Sequence, residues 1–191
     1  MSIVLVGSTS GSITLQEPAV SGSTVLSLPA VTGTILTTTS PKAGNVIQVV
    51  QGTTQTQVTN STTTYADSGL TANITPSSSS SKILIFVSQP YNVYRNSDNQ
   101  FGGFQIVRNS TAIYTPVQDG TSTFELGLAI GGATSTQLYN RYTACYLDSP
   151  ATTSSTTYKT QMRSYYASTG ALISAQPSNG TASIILMEIA G

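Results

Sequence analysis

The sequence predicts an all-β protein: a jelly-roll-like β-sandwich preceded by a base of short-stranded β-repeats. Three observations predict it. Apolar residues fall in short runs bounded by Gly, Pro, Asn or Ser, and no apolar period of about 3.6 residues runs long enough for a helix. The first 41 residues repeat with a period of eleven. Finally, only 7% of residues are charged, against about 25% in an ordinary soluble domain. Yet 38% are hydrophobic, enough for a packed core, so the surface must be wetted by hydroxyls and amides; Ser and Thr make up roughly three residues in ten.

The repeat comes first along the chain. Gly11, Gly22 and Gly33 open the units GSITLQEPAVS, GSTVLSLPAVT and GTILTTTSPKA, and Pro18 and Pro29 recur at the same offset. Each unit reads as a strand of about four or five residues closed by a Pro-containing turn. Such a unit has too little surface to bury its own Ile, Leu and Val side chains, and stacked repeats draw their stability from neighbours. Other copies of the chain can supply those neighbours. Ile13, Leu15, Val25, Leu26, Leu28 and Ile35 are therefore the candidate anchors for assembly. The pattern sets two domains, residues 1–41 as the repeat base and 42–191 as the sandwich.

In the second domain NVIQVVQ opens the strands, and TTTYADSGLTANIT contains a turn at Asp67, Ser68 and Gly69. Residues 77–81 are a polar loop. KILIFVS and the final SIILMEI are continuous apolar runs, the pattern of strands buried on both faces. FQIVRN, AIYTP, FELGLAI, QLYNRYTACYLD and TYKTQMRSYYAS supply the remaining strands. In the last of these Tyr158, Met162 and Tyr166 share one face, while Lys159, Gln161 and Arg163 share the wet one. Gly102-Gly103 and Gly131-Gly132 read as bulges or turns. Roughly eight strands over about 150 residues is the size of a jelly roll or related sandwich.

The residue inventory argues against catalysis. There is no His, which removes the commonest general base, the Ser-His-Asp and Cys-His arrangements, and most zinc sites. Cys145, the lone cysteine, sits among hydrophobic and aromatic neighbours and reads as a buried, inert thiol. Glu17, Asp67, Asp98, Asp119, Glu125, Asp148 and Glu188 are far apart in sequence, with no obvious glycosidase pair. The expectation is a protein that is not an enzyme, with no cofactor and no metal. Glu188 interrupts an apolar strand, so it should point outward or meet Arg108, Arg141 or Arg163. Ten Tyr and no Trp leave Tyr as the recognition aromatic; Tyr91, Tyr94 and Tyr139 are candidate surface-recognition residues, against the plainer reading of most Tyr as core.

Partners are bounded by charge. A net charge of zero without a basic cluster argues against nucleic acid, and no apolar stretch approaches the roughly 20 residues that span a bilayer. The opening MSIVLVGSTSGS lacks a basic n-region and a full apolar h-region, so synthesis in the cytoplasm without export is expected.

The segment GSITLQEPAVSGSTVLSLPAVTGTI resembles the Gly-anchored opening of many fibre and decoration proteins of tailed bacteriophages, especially cyanobacterial and other aquatic phages. TYADSGLTANITPSSSSSKILI and the terminal SIILMEIAG resemble the companion sandwich, and together these cover nearly the whole chain. The resemblance implies a trimer of tumour-necrosis-factor-like β-sandwiches on a narrower β-structured base, displayed on the virion surface. Such domains serve as capsid decoration (cement) proteins or as distal tips of tail fibres and tailspikes. The implied partners are further copies of the chain, a major capsid protein at the base anchors and, for a tip, a host surface polysaccharide. Only 41 residues precede the sandwich, too few for a tail-attachment domain and a shaft, so decoration is the first expectation and a receptor-binding tip the alternative.

Overall fold

The computed structural model describes residues 3–6, 12–15, 42–95, 100–116, 126–128, 136–165 and 172–191. The chain divides into two units, Met1–Ile35 and Leu36–Gly191. In the first, strand β1 (Ile3–Val6) pairs antiparallel with β2 (Ser12–Leu15), Ile3 lying opposite Leu15. β2 is the strand of the first eleven-residue unit, and the apolar run that begins the chain is its partner. The later units lie outside the described residues.

The second unit is a sandwich of two antiparallel sheets. The larger has the order β3 (Val46–Thr54), β13 (Ala182–Ile189), β6 (Lys82–Arg95), β12 (Leu172–Ala175) and β4 (Val58–Asn60), with β10 (Thr136–Asp148) along the other edge of β6. β13 and β12 follow one another on the same side of β6, at residues 82–88 and 91–94, joined through a single 3-10 turn at Pro177–Asn179. The smaller sheet runs β5 (Ala66–Ile74), β11 (Thr156–Ser164), β7 (Gln100–Arg108) and β8 (Thr111–Tyr114), with β9 (Leu126–Leu128) paired to the start of β7.

Strict alternation puts the core between the sheets. Ile83, Ile85, Val87, Tyr91 and Val93 of β6 and Ile184 and Leu186 of β13 face Leu70, Ile74, Phe104, Ile106, Tyr158 and Met162, all buried. Tyr158 and Met162 thus sit as the period of two predicts, with Lys159, Gln161 and Arg163 on the other side; Tyr166 lies outside the described residues. Phe104 stacks on Tyr142 with centroids 4.8 Å apart and meets Tyr91 edge-on at 5.7 Å.

Three glycines show what the sequence signals meant. The expected turn at Asp67, Ser68 and Gly69 lies inside β5 instead, where the register against β11 shifts and Gly69 takes φ +84°. Turn chemistry was present, but it makes a bulge. Gly102, expected in a bulge or turn, lies in regular register with β11; a Cβ there would overlap Ile173, so its role is close approach of the sheets. At Gly52 of β3 a Cβ would overlap the backbone carbonyl of Thr71, another place where the layers nearly touch. Gly131-Gly132 lies outside the described residues.

Several buried polar groups are paired across the core. Gln89 donates to Ser68 Oγ at 2.9 Å and accepts from Thr160 Oγ1 at 2.8 Å, tying the layers through the core. At one end Asp148, 6% exposed, accepts from Tyr158 Oη at 2.7 Å and twice from Arg108 Nη1 at 2.8 and 2.9 Å. Glu188 is fully buried and meets none of the arginines expected for it: it accepts from the Ser77 N–H and hydroxyl, both at 2.7 Å, and from Gln48 Nε2. Burial acts to raise its pKa, but the hydrogen bonds from Gln48, Ser77 and Ser81 outweigh it, so the carboxyl is held below its ordinary value. The loop 77–81 is therefore a cap for a buried charge as well as a connector.

Candidate functional site: the outer face of the larger sheet

The inward residues of β6, β13, β3 and β10 face the core, which leaves every second residue on the opposite face. Register fixes which of them are neighbours. Val49, Met187, Leu84 and Leu147 form one row across four strands, and Gln51, Ile185, Phe86 and Cys145 form the next. Val46 and Ile189 adjoin them at the end of the sheet. Among the described residues nothing covers these side chains fully: Phe86 is 38% exposed, Leu147 48%, Val46 53% and Val49 57%. A groove of about 380 Å³ lies over Phe86, Ser88, Thr143, Cys145, Ser183 and Ile185. The charged side chains flank the block: Lys82 at one end, and Arg141 beyond Ser88, to whose hydroxyl it donates at 3.0 Å.

This corrects two sequence expectations. KILIFVS and SIILMEI are not buried on both faces within one chain; their second apolar face is bare. Cys145 is exposed rather than buried, because β10 alternates so that Tyr146 turns inward onto Tyr114, with centroids 5.2 Å apart, and Cys145 turns out beside Phe86. The signal was available in the sequence: a sandwich strand needs apolar residues on one side only, so a run apolar on both sides marks a partner outside the sandwich.

Further along β6 the same face changes character. Beyond Pro90 the rows read Tyr139, Asn92, Ser174, Thr59 across four strands, then Gln137, Tyr94, Leu172 across three. With Gln57, Pro177 and Ser178 these residues line a cleft of about 350 Å³. Tyr139 is 60% exposed, and its hydroxyl donates to Gln137 Oε1 at 2.6 Å; Asn92 Nδ2 donates to the same oxygen at 3.2 Å.

Of the three Tyr expected to serve in recognition, Tyr94 and Tyr139 therefore meet in one cleft. Tyr91 does not: it faces the core, 2% exposed, and burial, partly offset by a hydrogen bond with Asn140, raises its phenol pKa. Odd and even positions of β6 point to opposite faces, so Tyr91 and Tyr94 could not share a surface. Ile13 and Leu15 of the expected anchors are placed on β2, with side chains outside the described residues, where Val25, Leu26, Leu28 and Ile35 also lie.

The described carboxylates are each engaged separately. Asp67 accepts from Lys159 Nζ and Gln161 Nε2, both at 2.7 Å; burial acts to raise its pKa, but these partners outweigh it and lower it. Asp148 and Glu188 are held as described above. Among the described residues no group of three His, Cys, Asp or Glu side chains could hold a metal ion, and no helix is long and apolar enough to cross a membrane.

No family model and no curated protein matches the sequence. Among solved structures, the chain is similar to a T=1 particle derived from infectious bursal virus, with TM-score 0.37, 12% identity, and coverage of 98% of this chain and 44% of that one. It is similar to infectious bursal disease virus of the Gt strain at TM-score 0.32 and 14% identity, covering 98% and 46%. It is also similar to dimeric latent PorU from Porphyromonas gingivalis at TM-score 0.29 and 13% identity, covering 81% and 14%. The chain spans less than half the length of each of these proteins. Likenesses this distant carry no argument about function, which has to come from the surface itself.

Proposed function

We propose that this chain is a structural protein of a bacteriophage virion surface: a homotrimeric capsid decoration protein, without enzymatic activity, that reinforces the outer shell. The observation that supports it best is the bare apolar block of Phe86, Leu147, Leu84, Val49, Met187 and Ile185. A face of this kind, free of charge and continuous over four strands, is what an assembling protein offers to further copies of itself. Oligomer interfaces differ from other surfaces by depletion of charge at the centre and by aromatic and Met side chains, and Phe86 and Met187 sit in the middle rows. The threefold order comes from the resemblance of the eleven-residue repeat and the sandwich to phage fibre and decoration proteins. In this reading the base, through Ile13, Leu15, Val25, Leu26, Leu28 and Ile35, meets the major capsid protein, and the sandwiches stand outward.

The test is location and mass. Light scattering of the full chain should give about three times 19.8 kDa. Antibodies against the sandwich should label the whole shell of intact particles in electron micrographs. Label confined to the tail would replace decoration by the receptor-binding tip, and a single-chain mass would remove the assembly altogether.

A further inference from the structure

We propose that the cleft between β10, β6, β12 and β4 is a binding site for an uncharged oligosaccharide, with Tyr139 as stacking platform and Gln137 and Asn92 as its hydrogen-bonding edge. The inference stands on the cleft and does not depend on the oligomeric state or on where the protein sits.

Pyranose rings present two chemistries together, apolar C–H patches on their faces and hydroxyls, each donor and acceptor, around the rim. A site that takes them needs an exposed aromatic ring beside amides and hydroxyls whose geometry is fixed. Tyr139 is the most exposed of the large apolar side chains described in the sandwich, at 60%. A side chain that open would ordinarily be mobile, but its hydroxyl is tied to Gln137 Oε1. That oxygen is held a second time by Asn92 Nδ2. Both bonds use the same end of the Gln137 amide, so among the described residues Nε2 keeps its two donors for a ligand and Asn92 keeps its Oδ1 acceptor. Thr59, Ser174, Ser178, Tyr94 and Leu172 complete the lining, adding hydroxyl-bearing residues and apolar surface. Pre-organised polar groups around an aromatic surface reduce the ordering cost of binding.

The ligand's charge follows from the lining. None of the lining residues bears a charge. Arg141, two residues from Tyr139, is turned back to Ser88 Oγ and the Thr181 carbonyl. Among the described residues, a sialylated or uronate-rich glycan would find no counter-ion there. The volume of about 350 Å³ lies at the lower end of ligand sites and suits one or two sugar residues. The cleft also borders strained backbone: Gln176, Ser178 and Asn179 take φ of 51°, 53° and 58°. Non-glycine residues rarely hold that conformation, and strain of this kind concentrates where a surface is shaped for binding.

The test is an array carrying cellotriose, maltotriose, mannotriose, N-acetylchitotriose and galactotriose, with a hyaluronan tetrasaccharide and an α2,3-sialyllactose as anionic arms. The expected result is binding to at least one neutral glycan and to neither anionic one. The affinity of that trisaccharide, measured free in solution by saturation-transfer NMR, should fall about tenfold or more in Tyr139→Ala and in Gln137→Ala. Tyr139→Phe should lose less, since the ring remains. These side chains lie on the surface, so the variants should melt as the wild type does. Binding to no neutral glycan, preference for the anionic arms, or a Tyr139→Ala variant that binds like wild type would each overturn the proposal. Phe86→Asp should leave trisaccharide binding within twofold whatever it does to assembly, which separates this site from the self-association face.

Discussion

If the apolar half of the larger sheet is an interface between copies, charge placed in its middle must dissolve the assembly without unfolding the subunit. Phe86→Asp together with Leu147→Asp is the perturbation. Full burial of a large apolar side chain contributes about 1.5–3 kcal/mol. Only the part still exposed in one chain remains to be gained, 38% for Phe86, 48% for Leu147, 57% for Val49 and 53% for Val46, so these four offer about 3–6 kcal/mol per subunit. The double variant forfeits roughly 1.3–2.6 kcal/mol of that. It also requires two carboxylates to leave water with no cation facing them, which adds several kcal/mol. A total loss of only about 3 kcal/mol weakens association by about a hundredfold. Sedimentation equilibrium at micromolar concentration should therefore show single chains where the wild type shows an oligomer. Because Phe86 and Leu147 face outward in the subunit, circular dichroism should keep its β signature. A folded double variant that assembles as the wild type does would refute the interface, and so would a wild type with the mass of one chain.

Three predictions concern the sandwich itself. Tyr158→Phe removes the hydrogen bond to Asp148 and keeps the ring, so chemical denaturation at fixed concentration should register a loss of about 1.5–3 kcal/mol. Burial, reinforced by Asp148, pushes the Tyr158 phenol above its ordinary value of 10; the unfolded phenol ionises first, so wild-type stability should fall as pH rises past 10, and less steeply in the variant. Glu188 has its carboxyl held below the ordinary 4.5. Its contribution is present above the unfolded pKa and lost as pH falls through the folded one, so Glu188→Gln should cost about 1.5–3 kcal/mol at neutral pH and far less in strong acid. Gly52→Ala should lower the melting temperature through a loss of about 1–3 kcal/mol, because its Cβ would run into the Thr71 carbonyl and neither backbone can yield cheaply.

How legible all this was in the sequence depends on the kind of signal. β11 could be read residue by residue, because one strand with one wet side carries its own alternation and needs no partner to interpret it. Glu188 could be identified as anomalous but its partners could not: Gln48 and Ser77 are 140 and 111 residues away, and neither carries a charge to suggest the match. The Asp67-Ser68-Gly69 segment has turn chemistry and a positive φ, yet only the register of β11 against it turns that chemistry into a bulge. The exposure of Cys145 is hidden in the sequence for a related reason. Its hydrophobic neighbours in sequence, Ala144 and Tyr146, are on the opposite face of β10, while its neighbour in space, Phe86, comes from another strand. Tyr94 and Tyr139 were legible as candidates and their meeting was not, since it depends on β6 and β10 pairing in one particular register.

The two halves of the outer face can act together because β6 is long. From Phe86 in the apolar block to Asn92 in the cleft there are six residues, about 20 Å at strand spacing. Between them stand Ser88 and Pro90 in the outward positions, flanked by Thr143 and Arg141. If a second copy seated on Val49, Leu84, Phe86 and Leu147 stops short of Asn92, the cleft at Tyr139 stays open. A threefold assembly would then carry three such clefts, held at fixed separations by the same contacts that make the trimer. Single sugar sites of this size bind weakly, but linked sites gain from effective concentration without any new contact. The proposals consequently reinforce each other in one measurable way: on a surface dense in the right neutral glycan, the wild type should dissociate much more slowly than the Phe86→Asp, Leu147→Asp variant, although both bind the free trisaccharide equally. Equal dissociation from the surface would mean that the cleft, if it binds, acts one at a time, and that the assembly does not present its copies to a common target.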